Sequence, residues 1–206
     1  MGILIDIHLH TARHSECSRI DASKLIERAV RAGLHGIIIT EHHYQWDLDE
    51  LDELSNAAKE PGFLLLSGFE YTSLQGDILV YGLDAAQCER FAPMEDAREV
   101  VPAFQADGGL CVAAHPTRAG LSFDDTIGEI GFDALEARSV NLQSHEQRLA
   151  TRLTEMLGLP ALAASDAHQL EDVGAYALSF DAPIQSMAEF LGAVRAGRCT
   201  PVTQRA

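Results

Sequence analysis

The chain of 206 residues has no continuous run of about 18 apolar residues, so we expect no membrane-spanning helix. Its four cysteines are scattered without a C-x-x-C pair, which argues against a sulfur-ligated metal and fits a reducing compartment. The first residues lack a basic segment followed by a long apolar one, so no signal peptide is expected and the cytoplasm is the default location. Basic residues are also few. With 15 of them against 31 acids the net charge is −16, and such a surface repels nucleic acid and anionic membranes.

Short apolar runs alternate with amphipathic stretches. Most of the runs are continuous, as expected for strands buried on both faces of a parallel sheet. They lie at 3–5, 37–39, 63–66, 78–81, 110–114, around 135, at 161–163 and at 176–180. Helices are predicted after capping residues, namely Asp21, Ser144 with Gln147, and Ser186 with Glu189. A further helix is predicted within 95–107, broken or kinked at Pro102.

The alternation predicts an α/β fold in one domain that spans residues 1–206. A βα unit takes roughly 30 residues, so the length allows about seven units. An open doubly wound sheet is the alternative architecture. It is weakened because no Gly-rich phosphate-binding sequence follows the first apolar run.

Six of the apolar runs end in side chains that bind metals or exchange protons. The carboxyl ends of parallel strands meet at one rim of a sheet, so we expect these side chains to converge there. Residues i and i+2 of a strand point the same way, which pairs His8 with His10 and Asp166 with His168. Imidazole and carboxylate together suit Mn²⁺, Fe²⁺ or Zn²⁺, and the two oxygens of Glu70 can bridge two ions. The side chains at these ends are His8, His10, Glu41, His42, Glu70, His115, Glu136, Asp166 and His168.

Other polar residues are open to more than one interpretation. Asp6 is predicted either to orient a ligand histidine or to ligate a metal itself. His14 and Glu16, in the loop after His10, are candidates for a further metal site. The remaining histidines are expected to be structural or exposed, and these are His35, His43 and His145.

Together the motifs resemble those of the polymerase and histidinol phosphatase (PHP) family. They follow the family's order over essentially the whole chain: D-I-H-L-H-T at 6–11, T-E-H at 40–42, G-F-E at 68–70, A-H-P at 114–116, L-E-A-R at 135–138 and S-D-A-H at 165–168. The resemblance implies a distorted, TIM-like (β/α)7 barrel, a cluster of two or three divalent ions (Mn, Fe or Zn), and phosphoester hydrolysis. By motif match the metal ligands are His8, His10, His42, Glu70, His115, Asp166 and His168.

Two positions depart from the family's pattern. Many members carry a histidine at the start of the strand after Glu70, where this chain has Asp77. An aspartate can still ligate, and it favours Mn²⁺ or Fe²⁺ slightly over Zn²⁺. Members with three metals often carry a third histidine after the first motif, and by ungapped count that position is Glu16, two residues after His14. Two ions are therefore expected, and a third is left open.

The hypothesis for the mechanism is that two cations, about 3.5–4 Å apart, hold a hydroxide that attacks phosphorus. The predicted catalytic residues are Asp166, His168 and Arg118. Arg118 is the first candidate for a phosphate clamp, because a guanidinium matches phosphate in bidentate fashion. Arg13 and Arg138 are further candidates for substrate binding. Three acids are expected to lie behind the ligands and orient them, namely Asp6, Glu41 and Glu136.

The sequence thus predicts a metal-dependent phosphoesterase that acts on a small phosphomonoester or nucleotide. A histidinol-phosphate phosphatase is an alternative, as is a phosphodiesterase or exonuclease acting on nucleic-acid ends. The acidic balance and the lack of a visible Lys/Arg cluster disfavour nucleic acid without excluding it. An amidohydrolase is disfavoured because many need a lysine at a strand end, whereas Lys24 and Lys59 fall in helical stretches. A metal-holding domain that has lost activity would be expected to lack ligands, whereas the ligand set here is nearly complete. The sequence leaves the oligomeric state open.

Overall fold

The computed structural model describes residues 2–204, and within them nine strands form one sheet. The strands are β1 (Ile3–Asp6), β2 (Gly36–His42), β3 (Leu64–Thr72), β4 (Asp77–Tyr81), β5 (Leu110–Ala113), β6 (Ala134–Arg138), β7 (Ala161–Ala163), β8 (Tyr176–Phe180) and β9 (Thr200–Thr203). Their order across the sheet is β7-β6-β5-β4-β3-β2-β1-β8-β9. The helices are α1 (Ala22–Arg31), α2 (Leu48–Ala58), α3 (Ala85–Cys88), α4 (Ala97–Ala106), α5 (Ile127–Ile130), α6 (Ser144–Leu157) and α7 (Met187–Arg195), and a 3₁₀ turn covers Leu170–Asp172.

The sheet curls into a nearly closed barrel. Beyond the ends of β1 and β7, Leu9 forms a parallel bridge with Ala167. The backbone N–H of Asp166 also donates to the carbonyl of His8 at 2.8 Å. The two ends of the β7-to-β1 portion of the sheet therefore meet beside the residues of the first and last motifs.

The strands do not all run in one direction. β1, β2 and β3 are parallel, and so are β5, β6 and β7. β4 is antiparallel to both β3 and β5. Only residues 73–76 separate it from β3, too few for the longer crossover that a parallel connection needs. β8 and β9 extend the sheet from β1 in antiparallel fashion. The α/β class is confirmed, whereas the expected count of seven βα units is not.

Strand β9 does not correspond to any of the predicted apolar runs. It contains Pro201, whose missing N–H is tolerated because the strand lies at the edge of the sheet. The other eight strands lie where the apolar runs predicted them.

The first predicted helix is confirmed in detail. The carboxylate of Asp21 accepts a hydrogen bond from the N–H of Ser23 at 2.9 Å, which caps the free backbone donors of α1. Leu25, Ile26 and Ala29 form its buried face. The helix is therefore fixed by its cap at one end and by packing along one side.

Two helices differ from the prediction. α6 is capped by Gln143 with Glu146, one residue earlier than predicted, because the Glu146 carboxylate accepts from the N–H of Gln143 at 2.7 Å. α4 continues through Pro102, which is exposed. The buried side chains of Val101 and Phe104 hold α4 against the sheet and offset the lost backbone hydrogen bond.

Buried apolar side chains form three clusters. One occupies the barrel interior and includes Ile5, Leu79 and Val112. The other two pack the outer face of the sheet against α1 and α2 on one side and against α4 and α5 on the other. No helix within residues 2–204 is long and apolar enough to cross a membrane.

Candidate metal centre

Four buried side chains meet at the rim formed by the carboxyl ends of β1, β3 and β7. The Nε2 atoms of His8 and His10 lie 3.1 Å apart. Glu70 Oε2 lies 3.3 Å from the first and 3.1 Å from the second. Asp166 Oδ1 lies 3.4 Å from His8 Nε2 and 3.6 Å from His10 Nε2. Two nitrogens and two oxygens thus surround one small volume.

Glu70 connects this group to the rest of the cluster. Its Oε2 lies 3.3 Å from His42 Nδ1, and its Oε1 lies 3.2 Å from His115 Nε2. His115 Nε2 is also 3.8 Å from Asp77 Oδ2. Three triads hold ligand atoms within 4.8 Å of one another: His10, His42 and His168; His8, His10 and Asp166; and Glu70, Asp77 and His115.

The strand directions explain this convergence. β2, β3 and β5 bring His42, Glu70 and His115 to the rim with their carboxyl ends. Asp77 is the first residue of β4, and β4 is antiparallel, so its amino end lies at the same rim. This orientation places Asp77 with the ligands of the parallel strands.

Two of these residues occupy the left-handed region of backbone conformation. The φ angles are 29° for His115 and 53° for Asp166. Non-glycine residues in this region carry strain on the order of 1–3 kcal/mol, and such strain is often found at functional sites. At Asp166 the side-chain amide of Asn141 donates to the backbone carbonyl and to Oδ2, both at 2.8 Å, which holds this conformation.

Hydrogen bonds behind the ligands set their proton positions. His8 Nδ1 donates to Glu136 Oε1 at 2.9 Å. Ser15 Oγ donates to Glu41 Oε2 at 2.6 Å, so it can only accept at its 3.4 Å contact with His10 Nδ1. Both imidazoles therefore direct Nδ1 at an acceptor and turn Nε2 toward the carboxylates, where it can bind a metal ion in exchange for a proton.

This crowd of acceptors creates a strongly negative potential. Burial disfavours the charged form of His8, yet the carboxylates of Asp166, Glu136 and Glu70 outweigh it and hold the pKa of His8 well above its usual value. Burial likewise opposes ionisation of Glu70, but the neighbouring histidines, His8 first, hold the pKa of Glu70 well below its usual value. The volume between these groups attracts a cation.

The histidines nearer the surface behave differently. Burial lowers the pKa of His42 to about 4, against the attraction of Glu70. Burial and the neighbouring His10 also lower the pKa of His168. Both imidazoles are therefore neutral at pH 7, which is the form that binds a metal ion.

The three acids expected behind the ligands have three different roles. Glu136 contacts two candidate ligands, since its Oε2 also accepts from the backbone N–H of His115 at 2.9 Å. Glu41 organises the loop after β1 through the N–H of Thr11 at 3.0 Å and the indole N–H of Trp46 at 3.1 Å. No hydrogen bond or ion pair within residues 2–204 joins the carboxylate of Asp6 to an imidazole.

Asp6 binds backbone amides. Its two oxygens accept from the N–H groups of Ser165 at 2.9 Å and Gly174 at 3.0 Å. Burial raises the pKa of its carboxyl to about 6. Asp6 thus fixes the segment that carries Asp166.

Several other candidates do not reach the cluster. Glu16 is exposed in the loop after β1, and no contact within residues 2–204 joins it to the ligands. His14 Nε2 lies 2.9 Å from Glu50 Oε1, and its ring stacks on Tyr44. Arg13 also faces Glu50, at 3.4 Å. These contacts hold both side chains against α2 and the loop before it.

Of the three candidate arginines, Arg118 alone contacts a residue of the cluster among residues 2–204. Its Nη1 lies 3.9 Å from Asp166 Oδ2, and the side chain is one-third exposed. Arg138 lines a cavity together with residues of α6. Sequence reasoning missed Asn141, for which the only signal was a polar residue shortly after the L-E-A-R motif.

Two further histidines, His35 and His43, bind backbone amides. His35 Nδ1 accepts from the N–H of Leu4 at 3.1 Å, and His43 Nε2 accepts from the N–H of Thr72 at 3.3 Å. His145 is exposed on α6. All three agree with the sequence prediction.

A family model described as PHP-associated matches residues 144–199 of the chain. No curated protein matches the chain in sequence. The family model confirms the resemblance to the PHP family over these residues, and the structural comparisons below show a shared fold.

The fold is similar to several solved structures. A two-domain protein from Bacteroides vulgatus, which contains a predicted PHP-like metal-dependent phosphoesterase, has a TM-score of 0.75 and 16% identity over 98% of this chain and 65% of its own. The lesion-specific endonuclease PfuEndoQ from Pyrococcus furiosus has a TM-score of 0.67 and 15% identity over 95% of this chain and 56% of its own. An amidohydrolase from Chromobacterium violaceum, solved with bound sulfate and no metal, has a TM-score of 0.66 and 17% identity over 98% of both chains. At such identities the likeness establishes the shared fold.

Proposed function

We propose that the chain is a metal-dependent phosphoesterase that hydrolyses a small phosphomonoester or nucleotide at the rim cluster. The observation that carries the proposal is the meeting of imidazole Nε2 atoms and carboxylate oxygens within 3.1–3.6 Å around His8, His10, Glu70 and Asp166. Carboxylates crowded into a buried volume need positive charge between them. Divalent cations fit that requirement and this donor set.

The residues present can hold two ions and offer a third set of donors. His8, His10 and Asp166 form one set, and Asp77 with His115 forms a second. Glu70 presents one oxygen to each of these sets. The third set adds His42 and His168 to His10, and all the donors are the nitrogens and oxygens that suit Mn²⁺, Fe²⁺ or Zn²⁺.

Bound cations of this kind neutralise phosphoryl oxygens and lower the pKa of water to about 7. The chain's own residues do the rest. Arg118 stands at the mouth beside Asp166, where its guanidinium can take two oxygens of a phosphate group. Glu136 and Asn141 keep His8 and Asp166 in place. His168, neutral and partly exposed, lies where a proton can pass between substrate and solvent.

Phosphodiester cleavage at nucleic-acid ends is the second candidate, favoured by the structural similarity to PfuEndoQ. The net charge of −16 opposes a long polyanion, so a small substrate is the first choice. A panel of phosphomonoesters, nucleotides, histidinol phosphate, dinucleotides and amides, assayed with Mn²⁺, separates these substrate classes and the amidohydrolase alternative.

The test of the proposal is the Asp166→Asn variant. Asparagine tolerates the left-handed backbone at this position, so the fold is preserved while a ligand charge is lost. We expect activity to fall by more than about 100-fold and bound metal, measured by elemental analysis, to fall with it. The control is Asp181→Asn, an exposed acid after β8, which should change neither quantity. Full activity of manganese-loaded Asp166→Asn would refute the proposal.

A further inference from the structure

Three arginines line one cavity beside α6 and the end of β6. Arg138 at the end of β6 and Arg148 and Arg152 on α6 line one cavity of about 450 Å³, which we call the arginine cavity. Ser144, Gln147 and Thr151 complete its wall. The sequence shows no Lys/Arg cluster because these residues are separated along the chain, and the packing of α6 on β6 brings them together.

The three guanidinium groups are unpaired. Within residues 2–204 none of them has a hydrogen bond or an ion pair, whereas Arg90 and Arg98 each hold a carboxylate oxygen at 2.6 Å. The chain has 31 acids for 15 bases, so carboxylate partners are abundant elsewhere on its surface. Unpaired arginines gathered in one cavity are therefore unusual for this chain.

The arrangement is electrostatically unfavourable by itself. Arg148 and Arg152 are four residues apart on one helix, so their like charges repel, and Arg138 adds a third. An anion in the cavity would offset this repulsion, because it would attract all three guanidinium groups. The planar guanidinium fork matches the oxygens of phosphate, and the hydroxyl of Ser144, in the first turn of α6, has no hydrogen bond within residues 2–204 and can serve as a neutral donor.

We propose that the arginine cavity binds a phosphate-type anion at a site separate from the candidate metal centre. The backbone places the two sites close together. The carbonyl of Arg138 accepts from the N–H of Ala164 at 3.1 Å, and Asn141, three residues after Arg138, contacts Asp166. Three residues span at most about 11 Å. The anion is therefore either a second phosphate group on a substrate or free inorganic phosphate.

The first experiment measures binding directly. Inorganic phosphate is titrated into the metal-loaded full chain while the arginine Nε–Hε resonances are followed by NMR, with sodium chloride of equal ionic strength as the reference. We expect saturable shifts of Arg138, Arg148 and Arg152 with phosphate and none with chloride. Shifts that do not saturate, or that chloride reproduces, would overturn the proposal.

Two charge-matched variants make the test specific. R148Q/R152Q removes two positive charges from the cavity, and R31Q/R198Q removes two from exposed positions elsewhere. The first should weaken phosphate binding at Arg138 by about tenfold or more, and the second should leave it unchanged. Equal effects of the two variants would show only a general charge effect and refute the site.

Kinetics then identify the source of the anion. If the cavity holds a second phosphate of the substrate, R148Q/R152Q raises KM for a doubly phosphorylated substrate and leaves KM for a singly phosphorylated one unchanged. If the cavity holds free phosphate, R148Q/R152Q leaves both KM values unchanged and is inhibited less strongly by inorganic phosphate than the wild type. Because binding is read by NMR, an inactive metal centre would not hide it, and Asp166→Asn should bind phosphate in the cavity like the wild type.

Discussion

At the scale of single residues, the candidate centre depends on which nitrogen of each histidine carries the proton. Glu136 receives the Nδ1 proton of His8 and the backbone N–H of His115 with its two oxygens. One buried carboxylate thereby orients two candidate ligands from different strands. A residue of this kind positions the centre without touching substrate.

The first prediction concerns that carboxylate. Glu136→Gln keeps the size of the side chain but removes its charge, and it can present an N–H to His8 where an acceptor is required. We expect metal affinity, measured by competition with a chromogenic chelator, to fall about 10- to 100-fold. Excess metal should restore much of kcat, which a collapsed fold would not allow. The exposed Glu155→Gln serves as the control, and an unchanged affinity in Glu136→Gln would contradict the orienting role.

Sequence reasoning located the cluster of candidate ligands better than the residues that support it. His8, His10, Glu70 and Asp166 were predicted together because strand ends converge, and that rule needs only the order of the strands. The role of Asp6 depends on whether its oxygens meet imidazoles or backbone amides, and that depends on how the distant segment around Ser165 and Gly174 closes the barrel. No local pattern encodes such a contact.

At the scale of elements, α6 and the loop after β5 are joined by one carboxylate. Glu146 accepts from the N–H of Gln143 at the start of α6 and from the N–H of Ala119 at 2.8 Å, one residue after Arg118. Its own carbonyl accepts from the hydroxyl of Thr117 at 2.8 Å. The helix cap therefore also holds the loop that carries Arg118, the candidate phosphate clamp.

The second prediction follows from that double role. Glu146→Gln should lower the free energy of unfolding by about 1 kcal/mol at pH 7, the usual cost of a lost cap. It should also raise KM more than it changes metal content, because the Arg118 loop loosens. Urea unfolding, steady-state kinetics and elemental analysis measure these effects, with exposed Glu155→Gln as control.

The pH dependence checks the same contact. The N–H groups of Gln143 and Ala119 hold the pKa of the Glu146 carboxyl below its usual value, so the unfolded chain binds its proton more readily than the folded one. The stability that this group adds is present above its usual pKa of 4.5 and is lost as pH falls through the lower folded value. In chelator-treated protein the difference between wild type and Glu146→Gln should therefore shrink toward pH 3. A constant difference would contradict the assignment.

The positions of most strands could be predicted from the sequence, whereas their directions could not. Continuous apolar runs located eight strands, since burial on both faces leaves the same composition in parallel and antiparallel strands. Because composition does not show strand direction, the sequence did not predict that β4 is antiparallel to β3. It therefore gave no reason for Asp77 to lie at the rim. Edge strand β9 has too little buried surface to leave an apolar run.

At the scale of the whole molecule, the fold and the centre are built from different residues. The three apolar clusters contain none of the candidate ligands. The rim instead concentrates Glu70, Asp77, Glu136 and Asp166 in a chain whose net charge is already −16. The barrel should therefore fold without metal. Bound cations should reduce the repulsion between the carboxylates of its rim.

The last prediction is that metal stabilises a fold that it does not create. Chelator-treated protein should keep its helical circular dichroism at 25 °C. Mn²⁺ at 100 times its Kd should add about 2.7 kcal/mol. For a chain of this size that is a rise in Tm of about 5–10 °C. Asp166→Asn should lose most of this rise and Asp181→Asn should keep it, because only the first removes a ligand. An equal rise in wild type and Asp166→Asn would mean that manganese stabilises the chain from somewhere other than the rim.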